Sequence, residues 1–248
     1  MTTYSELVDS TLMYLYGFTT LQDQATYLTV GCDSSQSSLA VAETTAVSRG
    51  IIEIDNELIW VDSINTSAQS LIIPPYGRGY RSTTAASHDS GARVTVSPLF
   101  PRTLIRKSVN DAIRAVWPDL WGVGETTFTA NPAITTYDLP AGATNVLQVS
   151  WQSIGPSKEW IPVRNWRIDK HAATNIFASG VSLNVYDSIV PGRTVKVVYS
   201  KQPSPLVNDN DEFTTVTGLN SSAEDVIRLG AAYRMVPFFD APHLSGMS

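Results

Sequence analysis

A chain of 248 residues, 43% of them hydrophobic, is long enough for one large domain or two small ones. Its 17 basic and 23 acidic residues give a net charge of −6, which argues against a general nucleic-acid binder, because such proteins need clustered Lys and Arg. The single Cys32 excludes an intrachain disulfide, and no Cys or His spacing predicts a metal or cofactor site. No signal sequence or membrane span is evident, so we expect a soluble protein that is made in a cytoplasm and contacts no membrane.

The first predicted element is a helix over residues 3–16, within a helical segment 1–20. Thr3 and Glu6 match a capping box, and Gly17 ends the pattern. The apolar residues at helical spacing are Leu7 or Val8, Leu12 and Leu15. This stripe predicts that the helix packs against a partner.

Residues 25–97 are predicted to form a β insertion. Two strands join at a tight Asp55-Asn56 turn, and a third and a fourth strand complete one small antiparallel sheet. These four strands are predicted at 51–54, 57–61, 70–73 and 93–96, with two further short strands at 27–30 and 38–41. A long loop separates the third strand from the fourth.

That loop lies in the sequence PPYGRGYRSTTAASHDSGARVTV, residues 74–96. Its glycines suggest a phosphate loop, but no nucleotide motif is complete and a strand rather than a helix follows. His88 could be a general base, yet no nucleophile or orienting partner can be assigned to it, and a solvated or hydrogen-bonded His is the alternative.

We therefore predict an ordered docking loop over residues 76–91. Its candidate interface residues are Tyr76, Arg78, Tyr80, Arg81 and His88. Tyr76 and Tyr80 would anchor the loop by packing their rings, and Arg78 and Arg81 would point outward to pair with carboxylates of another protein.

A central helix is predicted over residues 99–117, within a helical segment 99–122. Its apolar face comprises Ile105, Val109, Ile113 and Val116. A β-rich domain, 125–200, is expected next, with strands at 126–129, 135–139, 146–151 and 160–168, and a hairpin of 181–186 with 194–199 around Pro191-Gly192.

The last predicted elements are a loop over residues 201–220 and a third helix within 221–240. Ser221 and Glu224 match a second capping box, and the helix, predicted over 222–236, ends before Pro237. Its predicted apolar stripe is Val226, Leu229 and Tyr233. The cheapest way to bury three such stripes is a small bundle. The predicted fold class is therefore α+β: three helices distant in sequence form the bundle, with antiparallel β modules inserted between them.

The order of these parts resembles the head-to-tail adaptor, or connector, proteins of tailed bacteriophages. The resemblance is carried by GRGYRSTTAASHDSGARV, SVNDAIRAVWPDLWG, VPGRTVKVVYSKQPSPL and EDVIRLGAAYRM, in that order. It implies a structural protein of the virion neck, assembled in the host cytoplasm, that forms a ring of usually twelve subunits. Such a ring docks on the portal protein, receives the tail or nozzle protein and extends the DNA channel, with at most a passing contact with genomic DNA.

Two other function classes remain open. A tail hub or a carbohydrate- or receptor-binding tail module would use exposed aromatic residues such as Trp151, Trp160 and Trp166. An enzyme is not expected, because neither a G-x-S-x-G nor an H-E-x-x-H motif accompanies His88, His171 or His243.

Overall fold

The computed structural model describes residues 2–17, 22–155 and 158–244, with side chains described as far as residue 237. Residues 1 and 18–20 of the predicted segment 1–20, the side chains of 238–240 and that of His243 lie outside this part. The backbone divides into two compact units, one of Met1–Tyr4 with Ile113–Glu224 and one of Ser5–Ala112 with Asp225–Ser248. Within the described residues, four antiparallel sheets and four α-helices confirm the α+β class.

The unit made of Ser5–Ala112 and Asp225–Ser248 holds two sheets. The first has the strand order β1-β7-β3-β4, and the second the order β2-β6-β5. The strands are β1 (Gln24–Tyr27), β2 (Ser38–Ala40), β3 (Gly50–Ile54), β4 (Glu57–Val61), β5 (Ser63–Asn65), β6 (Ser70–Ile72) and β7 (Arg93–Val96). Fully buried apolar side chains from both sheets, including Ile52, Ile59, Leu71 and Val94, form one core.

The predicted hairpin is confirmed, since β3 and β4 pair across Asp55 and Asn56, with Asp55 at a φ of 52°. The prediction of one sheet for all four strands is wrong, because β6 pairs with β2 and β5 whereas β7 pairs with β1 and β3. Adjacent short strands can pair in several ways, and the tertiary core, which sequence spacing does not reveal, decides between them.

Most of three helices, α1 (Tyr4–Gly17), α2 (Arg102–Ala115) and α4 (Glu224–Leu244), belongs to the same unit. Three of the four residues of the predicted central stripe, Ile105, Val109 and Ile113, are fully buried on α2, whereas Val116 lies beyond its end and is half-buried. Ser108 Oγ lies 3.2 Å from Met235 Sδ, so α2 contacts α4. The arrangement of the helices as one bundle remains a proposal.

The predicted stripe of the last helix is wrong. The fully buried face of α4 is Ile227, Ala231 and Met235, whereas Val226, Leu229 and Tyr233 are exposed. Both faces are apolar, so periodicity alone could not choose between them. In the fold the first face is the one that packs inward, and its Met235 is the residue that contacts Ser108 of α2.

The helix also runs on past Pro237, where it was predicted to end, to Leu244. A proline inside a helix removes one backbone hydrogen bond but need not end the helix.

The unit made of Met1–Tyr4 and Ile113–Glu224 holds the other two sheets, in the orders β11-β10-β14-β8 and β12-β13-β9. The strands are β8 (Gly122–Thr129), β9 (Thr136–Asp138), β10 (Ala143–Gln152), β11 (Trp160–Pro162), β12 (Trp166–Asp169), β13 (Ser182–Val185) and β14 (Thr194–Lys201). Buried side chains such as Val149, Leu183, Val195 and Val197 form its core.

Three sequence predictions need correction in this unit. Residues 160–168 form two strands rather than one. The chain stays beside β10 as far as Val163, whose backbone N–H donates to Val149 O. It then turns, and β12 pairs with β13 in the other sheet. The strands β13 and β14 are not a hairpin, since the connection between them crosses from one sheet to the other. The segment predicted as a loop, 201–220, contains a helix, α3 (Phe213–Thr217), that buries the side chain of Phe213.

Candidate functional site

The long loop of the sequence closes around a carboxylate of its own chain. Glu57, the first residue of β4, is 1% exposed at its side chain. Its Oε1 accepts hydrogen bonds from Arg78 Nε and from the backbone N–H of Gly79, both at 2.8 Å. Its Oε2 accepts from Arg78 Nη2 at 2.9 Å and from the backbone N–H of Ala86 at 3.0 Å. The glycine and arginine pattern that suggested a phosphate loop therefore binds an anion, and that anion is Glu57.

Arg78 is used entirely within this site. Besides the two bonds to Glu57, its guanidinium donates to the backbone carbonyls of Asp33 and Ala86, each at 2.6 Å, and to that of Gln36 at 3.3 Å. Its side chain is only 10% exposed. The expectation that Arg78 points outward is wrong, because a buried carboxylate is costly unless it is paired with a cation and hydrogen-bonded.

His88 lies between two carboxylates. Its Nδ1 is 2.7 Å from Asp55 Oδ2, its Nε2 is 2.9 Å from Glu57 Oε2, and its backbone pairs with that of Cys32. The hydrogen-bonded interpretation of His88 is thus confirmed. Both ring nitrogens are occupied, so neither can take a proton from a nucleophile in this arrangement.

The charges of this cluster reinforce one another. The hydrogen bonds to Asp55 and Glu57 outweigh burial and raise the pKa of His88 from 6.5 to about 9. Burial alone would raise the pKa of Glu57, but the bonds from Arg78 and His88 lower it from 4.5 to about 2. The bond to His88 likewise lowers the pKa of Asp55. At neutral pH the cluster therefore holds two anions and two cations.

We call the cluster of Asp55, Glu57, Arg78 and His88 the Glu57 latch. The loop that it holds covers the outer edge of β4, where Trp60 N–H donates to Gly77 O at 2.8 Å and Leu58 N–H to Thr83 Oγ1 at 3.1 Å. Covering an edge strand prevents its pairing with other chains. The latch and the loop thus complete the sheet.

Two glycines allow the path of the loop. Gly79 has a φ of 61°, and a Cβ there would lie 2.9 Å from Thr83 O. A Cβ on Gly77 would lie 2.9 Å from Trp60 O. Larger residues would therefore move the loop away from β4.

The predicted anchors behave differently from each other. Tyr80 packs on Trp60, with ring centroids 5.5 Å apart, which confirms its anchoring. Tyr76 is 97% exposed, so its predicted packing is wrong. Arg81 is exposed as predicted, with its guanidinium 5.7 Å from the Tyr80 ring centroid. Of the five candidate interface residues, Tyr76 and Arg81 are the two that are exposed.

A second buried carboxylate orients the start of α2. Glu53 on β3 accepts a hydrogen bond at 2.7 Å from the backbone N–H of Arg102, the first residue of α2. Burial raises the pKa of Glu53 to about 7, although the backbone bond from Arg102 opposes the rise. Sequence reasoning missed both Glu53 and Glu57, because each lies in an apolar strand pattern and only the fold supplies their partners.

An apolar helix face is the second surface with a possible function. Val226, Leu229, Tyr233 and Val236 follow one another on one side of α4 at spacings of three and four residues, and all are exposed, Tyr233 by 78%. We call these four residues the α4 outer face. The sequence indicated that this stripe is apolar but assigned it to the core.

The part of the chain from residue 82 to residue 246 matches the family model described as SU10 adaptor protein. The chain belongs to the SU10 adaptor protein family. The predicted resemblance to phage head-to-tail adaptors is thereby confirmed, and membership makes the chain a structural adaptor of the virion neck. The match includes the α4 outer face and His88 but not Glu57 or Arg78.

No curated protein matches the chain. Family membership implies self-association and contacts with portal and tail components. None of the described helices is long and apolar enough to cross a membrane.

Proposed function

We propose that this adaptor forms a closed ring of identical subunits, twelve as in the adaptors that it resembles. The ring docks on the portal protein, receives the tail or nozzle protein and extends the DNA channel between capsid and tail. The net charge of −6 favours protein partners over DNA, so contact with the genome is limited to its passage through the channel.

The observation that carries this proposal is the α4 outer face. A helix on the surface of a monomeric protein normally presents charged and polar residues to water. Here Val226, Leu229, Tyr233 and Val236 are exposed on one face, with Asp225 as the charged residue beside them. Contiguous exposed apolar surface marks protein contacts, and the face lies within the range that matches the adaptor family. We therefore assign it to a contact made in the assembled neck.

The loop tip supplies a second contact in this proposal. Tyr76 and Arg81 are exposed, while Arg78, Tyr80 and His88 hold the loop in shape. An exposed aromatic residue on a fixed loop is well suited to a protein interface, because little further entropy is lost when it binds. The docking loop thus consists of two contacting residues and three that position them.

The alternative of a receptor-binding module gains less support. Trp151 and Trp166 are half-buried against the core of the β-rich unit. Trp160 is 39% exposed, and Lys196 Nζ lies 4.5 Å from its ring centroid. These three residues therefore do not offer the open aromatic platform that sugar binding uses.

Electron microscopy of the purified chain, alone and mixed with its cognate portal, tests the proposal. We expect rings seated on portal particles. The double variant Leu229→Asp, Tyr233→Asp should keep the wild-type melting temperature, because both side chains are exposed, yet fail to form rings. Val30→Asp, at another exposed apolar residue, is the matched control and should assemble normally.

Two results would contradict the proposal in different ways. A wild-type chain that stays monomeric on its portal would exclude the ring. Normal assembly of the Leu229, Tyr233 variant would leave the ring in place but remove the α4 outer face from its contacts.

A further inference from the structure

Most of the outer edge of β8 lacks a backbone partner among the described residues. On its inner side β8 pairs with β14 along its whole length. On its outer side the backbone N–H of Val123 donates to Gly218 O at 3.0 Å. Because backbone groups alternate in direction along a strand, those of Glu125, Thr127 and Thr129 also face outward. Among the described residues no backbone group bonds to them, and all three residues are exposed.

Two other sheet edges are protected. The Glu57 latch covers β4, as described above. At the opposite end of the sheet that contains β8, the edge strand β11 carries Pro162. Val163 N–H faces β10, so the neighbouring Pro162 faces outward, where its missing N–H weakens pairing. By contrast β8 contains neither proline nor lysine, and its register with β14 has no bulge. The unprotected part of this edge, from Glu125 to Thr129, is a site for strand addition.

A complementary edge exists in the same unit. Tyr186 N–H donates to Asn165 O at 2.9 Å, toward β13, so the next residue of β12, Trp166, turns its backbone outward, as does Ile168. Neither has a backbone partner on that side among the described residues.

The two edges also match in side-chain character. On β8, Glu125 and Thr127 lie on the exposed face and Phe128 on the half-buried one. On β12, Arg167 and Asp169 lie on the exposed face, and Trp166 and Ile168 are half-buried.

We propose that β8 of one copy pairs in parallel with β12 of a second copy, which joins two sheets across the subunit boundary. In a parallel pair, a residue whose backbone groups point toward the partner strand lies opposite a residue whose backbone groups point away from it. The side chains of these two residues lie on the same face of the sheet. Glu125 then lies beside Arg167 of the second copy, and the exposed faces of the two strands are continuous. Antiparallel pairing would instead place Glu125 on the same face as Trp166 or Ile168.

This contact is heterologous, because two different edges meet, and heterologous contacts generate closed rings when the rotation closes. The inference therefore rests on the proposed ring and names the strands that join its subunits.

Cross-linking on assembled rings is the first test. Cys32 is buried and is the chain's one cysteine, so a thiol-specific cross-linker reacts at the introduced cysteines. With Thr127→Cys and Asp169→Cys in one chain, a short thiol-specific cross-linker should join successive copies and give a ladder beyond the dimer on denaturing gels. Each single variant should give no ladder.

Charge reversal is the second test. Glu125→Arg and Arg167→Glu should each raise the protein concentration needed for assembly by about tenfold, because each creates a like-charge pair, and the double reversal should restore assembly. Glu159→Arg, also at an exposed residue, is the matched control and should assemble like the wild type.

The outcomes separate the two proposals. If rings form on the portal but no ladder appears and Glu125→Arg assembles like Glu159→Arg, this pairing is wrong and the ring stands. Cross-links from the cysteines to the portal would overturn the pairing in favour of a portal strand. Absence of wild-type rings would overturn the proposed function, and this pairing with it.

Discussion

Removing the Arg78 side chain should destabilise the fold, although the sequence suggested an outward-facing interface residue. Arg78→Ala deletes both bonds to Glu57 and three to backbone carbonyls, and leaves a carboxylate that is 1% exposed. Breaking a buried ion pair by removing one partner costs about 3–5 kcal/mol. Glu57 keeps its bonds from Gly79, Ala86 and His88, so we expect the lower end, about 3 kcal/mol.

Thermal unfolding followed by circular dichroism measures this loss. About 3 kcal/mol corresponds to a decrease in Tm of about 6–12 °C for a chain of this size. Arg81→Ala is the matched control, the same substitution in the same loop at an exposed position, and should change stability by less than about 0.5 kcal/mol. In a double-mutant cycle with Glu57→Gln, the two losses should add up to more than the loss of the double variant. Equal melting temperatures for Arg78→Ala and Arg81→Ala would refute the latch.

Three further predictions concern buried groups. The pKa of His88 is raised from 6.5 to about 9, so the stability that the charged imidazole contributes is complete below pH 6.5 and is lost as the pH rises through 9. In His88→Gln the melting temperature should therefore depend less on pH over that range. The pKa of Glu53 is raised from 4.5 to about 7, so the unfolded chain loses this proton first and stability falls as the pH rises from 4.5 through 7, a fall that Glu53→Gln should abolish. Ile113→Asp places an unpaired carboxylate at a fully buried position and should prevent soluble expression, whereas Val226→Asp, on the exposed face of α4, should not.

The sequence predicted the elements better than their pairing. The β3–β4 hairpin and the α2 stripe could be predicted because each depends on local signals, a two-residue turn and a helical period with one apolar face. The sheet that β6 joins and the partners of β13 could not be predicted, since partners across a core are selected by burial that a single sequence does not display. The prediction of the α4 stripe failed for a related reason, because two apolar faces compete and only the folded chain shows that the face of Ile227, Ala231 and Met235 is buried.

The loop was misjudged in a more specific way. Glycines beside arginines indicate an anion site correctly, but the sequence does not say whose anion it is. Glu57 precedes Arg78 by twenty-one residues and begins an apolar strand, so nothing local marks it as the ligand. An internal carboxylate should therefore be weighed against phosphate or a partner protein whenever such a loop follows a strand that contains a buried acid.

Because Arg78 binds Glu57 of its own chain and is not an interface residue, the expected effect of salt on assembly changes. With Arg78 paired to Glu57, the loop offers a partner one exposed cation, Arg81, and one exposed aromatic ring, Tyr76. An exposed ion pair contributes about 0–1 kcal/mol and is screened by salt, whereas burial of a large apolar side chain contributes about 1.5–3 kcal/mol and is not. If the loop docks, Tyr76→Ala should therefore weaken portal binding more than Arg81→Ala, and raising the salt concentration from 0.05 to about 0.5 M should change wild-type binding by less than about tenfold. Strong salt dependence that disappears in Arg81→Ala would show instead that the arginine dominates the contact.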